Sequence, residues 1–188
     1  GLTGTELPAA LEAQTAVTGM LEEIRSIAAQ VLGIVPDRRV ATSVSPGLPK
    51  VAFVSPPVAD TTSSGDVLTA GTHDVHARLM SMQTAHRAYA GGASICTAVA
   101  ACIPGTIVHE CASDGKFDPS RFRIGHPAGI LDVRVSVRNM DGQPHVLSAT
   151  VARTARRIMS GEVWVPESLV PQPVPHGSVS GPAVSGLS

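Results

Sequence analysis

The stretch that most constrains the fold is residues 91–106, GGASICTAVAACIPGT. Two glycines lead into an unbroken run of small, mostly apolar residues, and Pro104 and Gly105 end it. A helix over residues 93–103 has no polar face, so other structure must enclose it. Its glycine-rich start leaves backbone N–H groups without partners, and such groups suit an anion. The sequence therefore predicts a central apolar helix whose first turn can hold a negatively charged ligand.

The chain before this helix is predicted to hold two further helices and one strand. Residues Pro8 to Gly33 form an amphipathic helix that lies on a surface. Its apolar positions are Leu11, Val17, Met20, Leu21, Ile24, Ile27, Ala28 and Val31, and Glu22, Glu23 and Arg25 lie opposite. Residues 50–54, KVAFV, form a short buried strand between prolines. Residues 74–90 are compatible with a second helix, on which Met80 and Met82 belong to the core and not to a cofactor site.

The chain after the central helix reads as an antiparallel meander. Short strands are predicted at residues 106–110 and 121–125, and apolar and polar residues alternate through 130–137. An Asp-Gly pair within residues 139–143 predicts a hairpin, and residues 145–152 return as the partner strand, followed past Gly161 by EVWVP. The fold class is therefore α+β, a mostly antiparallel sheet wrapped around the apolar helix. We assign residues 1–166 to this domain and residues 167–188 to a disordered or draped tail rich in Pro, Ser and Gly.

Composition removes several functional classes. The 188 residues include 14 Lys plus Arg and 15 Asp plus Glu, so a formal net charge of −1 leaves no electrostatic footprint for nucleic acid or an anionic membrane. No apolar run approaches the length of a membrane span, and the first residues lack the pattern of a secretory signal. We therefore expect a soluble, cytoplasmic protein that binds neither nucleic acid nor membrane.

Three strings carry a family resemblance: residues 77–108, residues 123–133 with GHPAG, and residues 151–166 with RTARRIMSGEV. In order and spacing they resemble the C-terminal half of the PrpF family, which contains 2-methylaconitate cis-trans isomerases and 4-oxalomesaconate tautomerases. The resemblance implies the diaminopimelate-epimerase-like fold, in which two similar halves each wrap a sheet around a central helix and the active site lies between them. Because the chain opens at Gly1 rather than Met, we expect the N-terminal half to be missing. A homodimer is a further possible assembly.

The resemblance also implies the chemistry. Family substrates are small unsaturated di- and tricarboxylates, and a proton moves between two carbons without redox change, so no cofactor is expected. Such a reaction needs a base, an acid and donors that hold the carboxylate as charge develops. Cys96 is the candidate base within this chain, because a helix dipole lowers the pKa of a thiol in the first turn. The family's other proton-transfer groups come mainly from the missing half. The alternative for Cys96 is a free thiol without a catalytic role.

The predicted substrate-binding residues fall on three segments. At the helix start they are Gly92, Ala93 and Ser94, whose N–H groups and hydroxyl suit a carboxylate. The alternative is that the glycines here serve only close packing. The family has Thr before Gly-Ala, and Gly91 stands there instead. On the preceding segment they are Ser81, Met82 and His86, of which His86 either supplies charge or caps a helix. The last is His126, predicted at the tip of a glycine-rich turn or as a structural histidine.

No other site class fits the sequence. Cys96, Cys102 and Cys111 have neither the even number of a disulfide framework nor the close pairs of a structural zinc site, and no metal site is expected. Two alternatives to the isomerase remain open. One is a non-catalytic module that binds polycarboxylates, and the other is a hydrolase with Cys96 as nucleophile and His86 or His126 as base.

Overall fold

The computed structural model describes residues 2–112, 116–153 and 155–170. The chain divides into two compact units, Gly1–Arg153 and Thr154–Ser188. The helices of the first unit are α1 (Pro8–Glu12), α2 (Thr15–Val31), α3 (Ala41–Val44), α4 (Gly91–Ala101) and α5 (Ile107–Cys111). Its strands are β1 (Val51–Ser55), β2 (Asp60–Thr61), β3 (Val67–Leu68), β4 (Val75–Ser81), β5 (Thr84–Ala85), β6 (Phe122–His126), β7 (Gly129–Met140) and β8 (Gln143–Val151). The architecture is α+β, as the sequence predicts.

Six strands form the main sheet in the order β1-β4-β6-β7-β8, with β5 paired to β4. Every pairing is antiparallel except that of β4 with β6, where Val75 lies beside Ile124 and His76 beside Gly125. Strand β4 is thus an interior strand with neighbours on both sides. The short strands β2 and β3 pair only with each other.

One core lies between α4 and the sheet. Ala98 and Ala101 of α4 pack with alternate residues of β4, β6 and β7; these are Val75, Ala77, Leu79, Phe122, Ile124, Val133 and Val135. Small side chains on the helix allow this close approach. The enclosure predicted for the helix is only partial, because Gly92 and Cys96 are exposed. The helix also begins at Gly91, two residues before the predicted start.

A second core covers the other face of the sheet near β4. Leu11 of α1 and Leu21 of α2 pack with Met80 and Ala85. The single helix predicted over residues 8–33 is therefore two helices, interrupted at residues 13–14. The predicted polar face is also wrong in part, because Arg25 is only 3% exposed and donates hydrogen bonds to the carbonyl groups of Ser45 and Leu48.

An apolar stripe of α2 faces outward instead. Met20, Ile24, Ile27 and Val31 recur at helical spacing and are between 41% and 79% exposed. The hydrophobic periodicity of this segment correctly predicts a helix. It does not predict which side the sheet covers.

Two segments differ from the predicted secondary structure. Residues 75–81 form strand β4, where the sequence is compatible with a helix, because α4 covers one face of the strand and α1 and α2 the other, so that no alternation of apolar and polar residues remains. Residues 107–111 form α5 where a strand was predicted; the Thr106 hydroxyl caps this helix by accepting from the His109 N–H. The other predicted strands of the first unit are confirmed, as is the turn at Asp141 and Gly142 between β7 and β8.

The second unit holds little regular structure among its described residues. Residues 155–166, which include the predicted strand EVWVP, form no helix or strand, so that strand prediction is wrong. Glu167–Leu169 form a short 3-10 helix. The rest of the predicted tail, residues 171–188, lies outside the described residues.

Candidate active site

The hairpin from β4 to β5 places two predicted residues, Ser81 and Met82, at one groove. The turn consists of Met82 and Gln83, with φ of 54° and 63°. Met82 is 61% exposed, so its predicted place in the core is wrong, whereas Met80 is buried as predicted. The Thr84 hydroxyl donates to the Ser81 carbonyl across the turn at 2.9 Å. The groove is lined by Glu12, Ser81, Met82, Thr84, Ala85, His86 and Arg87. Three predicted residues, Ser81, Met82 and His86, therefore share one surface.

Lys50 is a functional candidate that the sequence did not predict. It precedes β1, and the pairing of Val51 with Met80 brings it opposite Ser81. Its ammonium group donates to the Ser81 hydroxyl at 2.8 Å. A hydroxyl and a cation side by side suit a carboxylate. The register of β1 against β4 is what places Lys50 beside Ser81. The sequence did not indicate it, because the pattern of residues 75–81 is compatible with a helix.

His86 and His126 occupy related positions. The Nδ1 of His86 accepts from the Ala88 N–H, and the Nδ1 of His126 accepts from the Ala128 N–H, each at 3.1 Å. In the neutral form of each ring the proton therefore lies on Nε2, which is a donor. The predicted cap of a helix by His86 is not observed, because Ala88 lies in the loop before α4.

His126 is buried rather than presented at a turn tip, which corrects the prediction. It ends β6 and is 7% exposed. Burial lowers its pKa to about 4, and the charges of Arg78 and His86 contribute in the same direction. The ring is thus neutral near pH 7, so it offers a hydrogen-bond donor and not a positive charge.

The start of α4 has free donors. Ala90 is the N-cap and provides no side-chain cap, so the N–H groups of Gly91, Gly92 and Ala93 precede the first hydrogen bond of the helix. Ser94 behaves differently from the prediction. Its N–H donates to the Ala90 carbonyl and its hydroxyl to the Gly91 carbonyl, both at 2.8 Å, and the residue is fully buried. Of the three residues predicted here, Gly92 and Ala93 keep accessible backbone donors and Ser94 does not.

Cys96 lies in the second turn of α4, not the first, because the helix begins at Gly91. The dipole effect falls off within the first turn, so Cys96 lies outside the turn on which the prediction of a thiolate base depended. Cys96 is free and exposed. Among the described residues no hydrogen bond joins it to a histidine.

Residues 86–91 connect the groove to the start of α4. Within this connection Tyr89 is buried and its hydroxyl shares a hydrogen bond of 2.9 Å with Thr97. Burial raises the pKa of Tyr89. Tyr89 therefore holds the connection against the helix that carries Cys96. Within residues 2–112, 116–153 and 155–170 there is no cluster of side chains that would hold a metal ion, and no helix is long and apolar enough to cross a membrane.

Comparison with known proteins gives a consistent set of relatives. A sequence profile of the family described as PrpF protein matches residues 1–166. The chain is 41% identical over 165 residues to 3-methylitaconate isomerase of Eubacterium barkeri, a match that covers 87% of the chain and 42% of that relative. It is 36% identical over 167 residues to 2-methyl-aconitate isomerase of Shewanella oneidensis, covering 89% of the chain and 41% of the relative.

A solved structure matches as well. The structure titled methylitaconate-delta-isomerase superimposes with a TM-score of 0.74 at 36% identity, over 88% of this chain and 45% of that one. In each comparison the chain spans less than half the length of the protein it matches.

Proposed function

The chain belongs to the PrpF family, and on that premise we propose that it forms the C-terminal half of an isomerase of small unsaturated di- or tricarboxylic acids. The proposed substrates resemble aconitate, and the reaction is a cis-trans isomerisation or tautomerisation by proton transfer, without a cofactor. The proposal includes a diaminopimelate-epimerase-like arrangement, in which the second wall of the site comes from an N-terminal half. It also includes a cytoplasmic location.

The observation that carries the proposal is the paired donor at Ser81. A hydroxyl that already accepts from the Lys50 ammonium at 2.8 Å keeps its own proton free to donate to a carboxylate oxygen. The ammonium supplies the positive charge that a di- or tricarboxylate requires. Arg87 lines the same groove and adds a second cation. Glu12 is the acidic residue of this groove, and its carboxylate already accepts from the Ala85 N–H at 3.0 Å.

Proton transfer between two carbons passes through a carbanion, so the donors have to strengthen as charge moves onto the carboxylate. The N–H groups of Gly92 and Ala93 are suited to that role, because the positive end of α4 lies behind them. His126 is suited to donate from Nε2 as a neutral ring, because its pKa of about 4 keeps it uncharged. In this proposal Ser81, Lys50 and Arg87 bind the substrate, while Gly92, Ala93 and His126 stabilise the charge that develops.

Cys96 remains the candidate proton-transfer group of this chain. Its exposed position in α4 leaves the thiol accessible from outside the domain. The opposite acid or base then belongs to the other half. A Cys96→Ser variant separates the two assignments for this residue: loss of isomerisation by at least a hundredfold supports a catalytic thiol, and unchanged rates assign the reaction to groups of the other half.

The test is an isomerisation assay of the protein at the full length of its relatives. Unsaturated tricarboxylic acids are incubated in deuterated water, and NMR follows deuterium entering the allylic position. Ser81→Ala and Lys50→Met are expected to raise KM about tenfold or more, since each removes a donor to a charged group. Arg39→Met, which removes an exposed arginine paired with Asp37, is the matched control and should leave KM unchanged. Absence of exchange with every acid tested would contradict the proposal.

A second candidate is a module that binds polycarboxylates without turning them over. It is favoured by the fact that Ser81, Lys50 and the α4 donors all belong to this chain. A thermal-shift titration with citrate distinguishes the two functions. A response of the 188-residue chain, lost in Lys50→Met, supports the module, whereas a response that requires the other half supports the isomerase. The cysteine-hydrolase alternative has no comparable support, because Cys96 lacks a histidine partner among the described residues.

A further inference from the structure

The Met82–Gln83 turn adopts a backbone conformation that its residues disfavour. Two-residue hairpins with positive φ at both central positions prefer Asn, Asp or Gly. Met82 and Gln83 have φ of 54° and 63° without the freedom of glycine. Backbone of this kind persists only where the surrounding structure holds it. The turn carries the exposed Met82 and adjoins Ser81, so whatever holds it also sets the shape of the groove.

The side chain of Gln83 connects this turn to the loop at residues 45–48. Its amide reaches the Pro46 carbonyl, with Nε2 and O 3.5 Å apart. Gln83 also lies beside the Glu22 carboxylate, since both line the same small space beneath the turn together with Arg25, Pro46 and Met82. The side chain of Gln83 thus connects the turn to the loop at residues 45–48.

The loop that receives Gln83 is itself held by a buried arginine. Arg25 donates from Nη1 to the carbonyls of Ser45 and Leu48, both at 2.9 Å. It also makes two bonds to Glu22, from Nε at 2.7 Å and from Nη2 at 2.6 Å. The Thr42 hydroxyl donates to the same carboxylate at 2.6 Å. The bonds to Glu22 fix the guanidinium on its own helix, and the bonds from Nη1 connect α2 to the loop, so α2 and the loop form one support.

We propose that Gln83 is a positioning residue: anchored to the support built by Glu22 and Arg25, it holds the Met82–Gln83 turn so that Ser81 and Met82 face the groove. This inference rests on the proposed function for its effect on catalysis, and on the geometry of the turn alone for its effect on Met82. Gln83 touches no reacting atom. It acts by fixing a conformation that the turn would leave if the amide were removed.

The experiment uses the protein at the full length of its relatives, labelled with methyl-¹³C methionine. Met82 and Met140 are two of the five methionines in this chain, and each precedes or begins a two-residue turn. Gln83→Ala removes the amide and keeps the cost of positive φ at this position, so the turn loses its anchor without gaining the freedom of glycine. Gln83→Lys keeps a donor long enough to reach Pro46 and Glu22. Asp141→Gly is the matched control, because it changes a residue with φ of 54° in the distant β7–β8 turn.

In Gln83→Ala the Met82 methyl resonance should narrow and move towards the value of a free methionine, while the Met140 resonance stays unchanged. The value of kcat/KM should fall about tenfold, because small misplacements of binding groups have effects of this size or larger. Gln83→Lys should restore both properties, and Asp141→Gly should alter neither Met82 nor activity.

Two results would overturn the inference: a Met82 resonance that is the same in Gln83→Ala and the unmodified protein, or a mobile Met82 with unchanged kcat/KM. If no variant and no unmodified protein isomerises any acid, the proposed function fails instead. The Met82 resonance then still decides whether Gln83 holds the turn.

Discussion

The β4–β5 and β7–β8 hairpins have the same kind of turn and opposite sequences. Both pass through two residues with positive φ, Met82–Gln83 in the first and Asp141–Gly142 in the second. Asp-Gly is among the preferred sequences for this geometry, and Met-Gln is not. The second hairpin extends into β7 and β8, whose turn-proximal residues are exposed. The first lies against α1, α2 and the loop at residues 45–48.

The difference shows two ways of specifying one backbone shape. The β7–β8 turn is encoded by its own residues, so the sequence predicts it correctly. The β4–β5 turn is imposed by its surroundings, through Gln83 and the support of Glu22 and Arg25. A turn held from outside is the one that borders the candidate active site, which agrees with the tendency of strained backbone to occur at functional positions.

Acid offers the largest test, because it loosens the packing around β4, the strand that leads into the first hairpin, without changing a residue. His73 and His126 flank β4 and are buried, and burial lowers the pKa of each to about 4. The pKa of His76 is also lowered by burial. In the unfolded chain these histidines protonate near pH 6.5, whereas in the folded chain they stay neutral. Their contribution to the free energy of unfolding is therefore fully present above pH 6.5 and is lost as pH falls towards 4. For His73 and His126 together the loss is roughly 4 kcal/mol by pH 5.

Urea unfolding at intervals between pH 7.5 and 5 measures this loss. The window excludes most carboxylate titration, since the carboxyls of Glu6, Glu22, Asp37 and Asp118 have pKa values below their usual range. His126→Gln should reduce the slope by about one proton, or about 1.4 kcal/mol per pH unit. A free energy of unfolding that is flat from pH 6.5 to 5 would contradict the depressed pKa values.

Removing the support directly is expected to have the next largest effect. Arg25→Met removes the ion pair of Glu22 and the two hydrogen bonds that connect α2 to the carbonyls of Ser45 and Leu48. Truncating one member of such a buried pair costs about 3 kcal/mol. Arg39→Met is the control, because its ion pair with Asp37 is solvated, with the Arg39 side chain 84% exposed, and exposed pairs contribute little. Equal melting temperatures for the two variants would show that Arg25 does not support the hairpin.

The same distinction between local and imposed structure explains what the sequence predicts of the fold. Strand β7, with alternating burial, and the Asp141–Gly142 turn both follow from local patterns. Strand β4 does not, because all residues from Val75 to Met80 are buried and no alternation remains. The burial of Arg25 also has no local signal. Its partners Ser45 and Leu48 lie about twenty residues away, and only the folded chain brings them to the helix.

For the candidate site, the sequence identified segments better than atoms. Ser81, Met82 and His86 do share one groove, and Gly92 and Ala93 do begin a helix with free donors. Whether Ser94 faces the ligand depends on a helix start two residues earlier than predicted, which turns its hydroxyl back to Gly91. Lys50 depends on the register of β1 against β4. Both facts belong to tertiary geometry that motif resemblance does not specify.

Giving the first turn the sequence preferred for its shape should stabilise the protein. Replacing Met82 by Asn and Gln83 by Gly removes two disfavoured conformations, each costing about 1 kcal/mol, and loses the Gln83 contacts, which offset about half of the gain. The free energy of unfolding in urea is expected to rise by about 1 kcal/mol. Activity should fall, because the variant also removes Met82, one of the predicted substrate-binding residues. A double variant that is less stable would show that the Gln83 contacts outweigh the strain.

The smallest effect is expected at the second turn. Asp141→Ala keeps φ near 54° but loses the tolerance of aspartate for this region, which costs about 0.5 kcal/mol. Gln143→Ala, an exposed position in β8 beside the turn, is the control for a surface change without positive φ. Because no contact from another element holds the Asp141 side chain among the described residues, the effect should be confined to the turn and leave the Met82 resonance unchanged. A loss above about 1.5 kcal/mol would exceed this backbone preference. It would mean that the β7–β8 turn is also held from outside, and that the two hairpins differ in sequence but not in how their shape is specified.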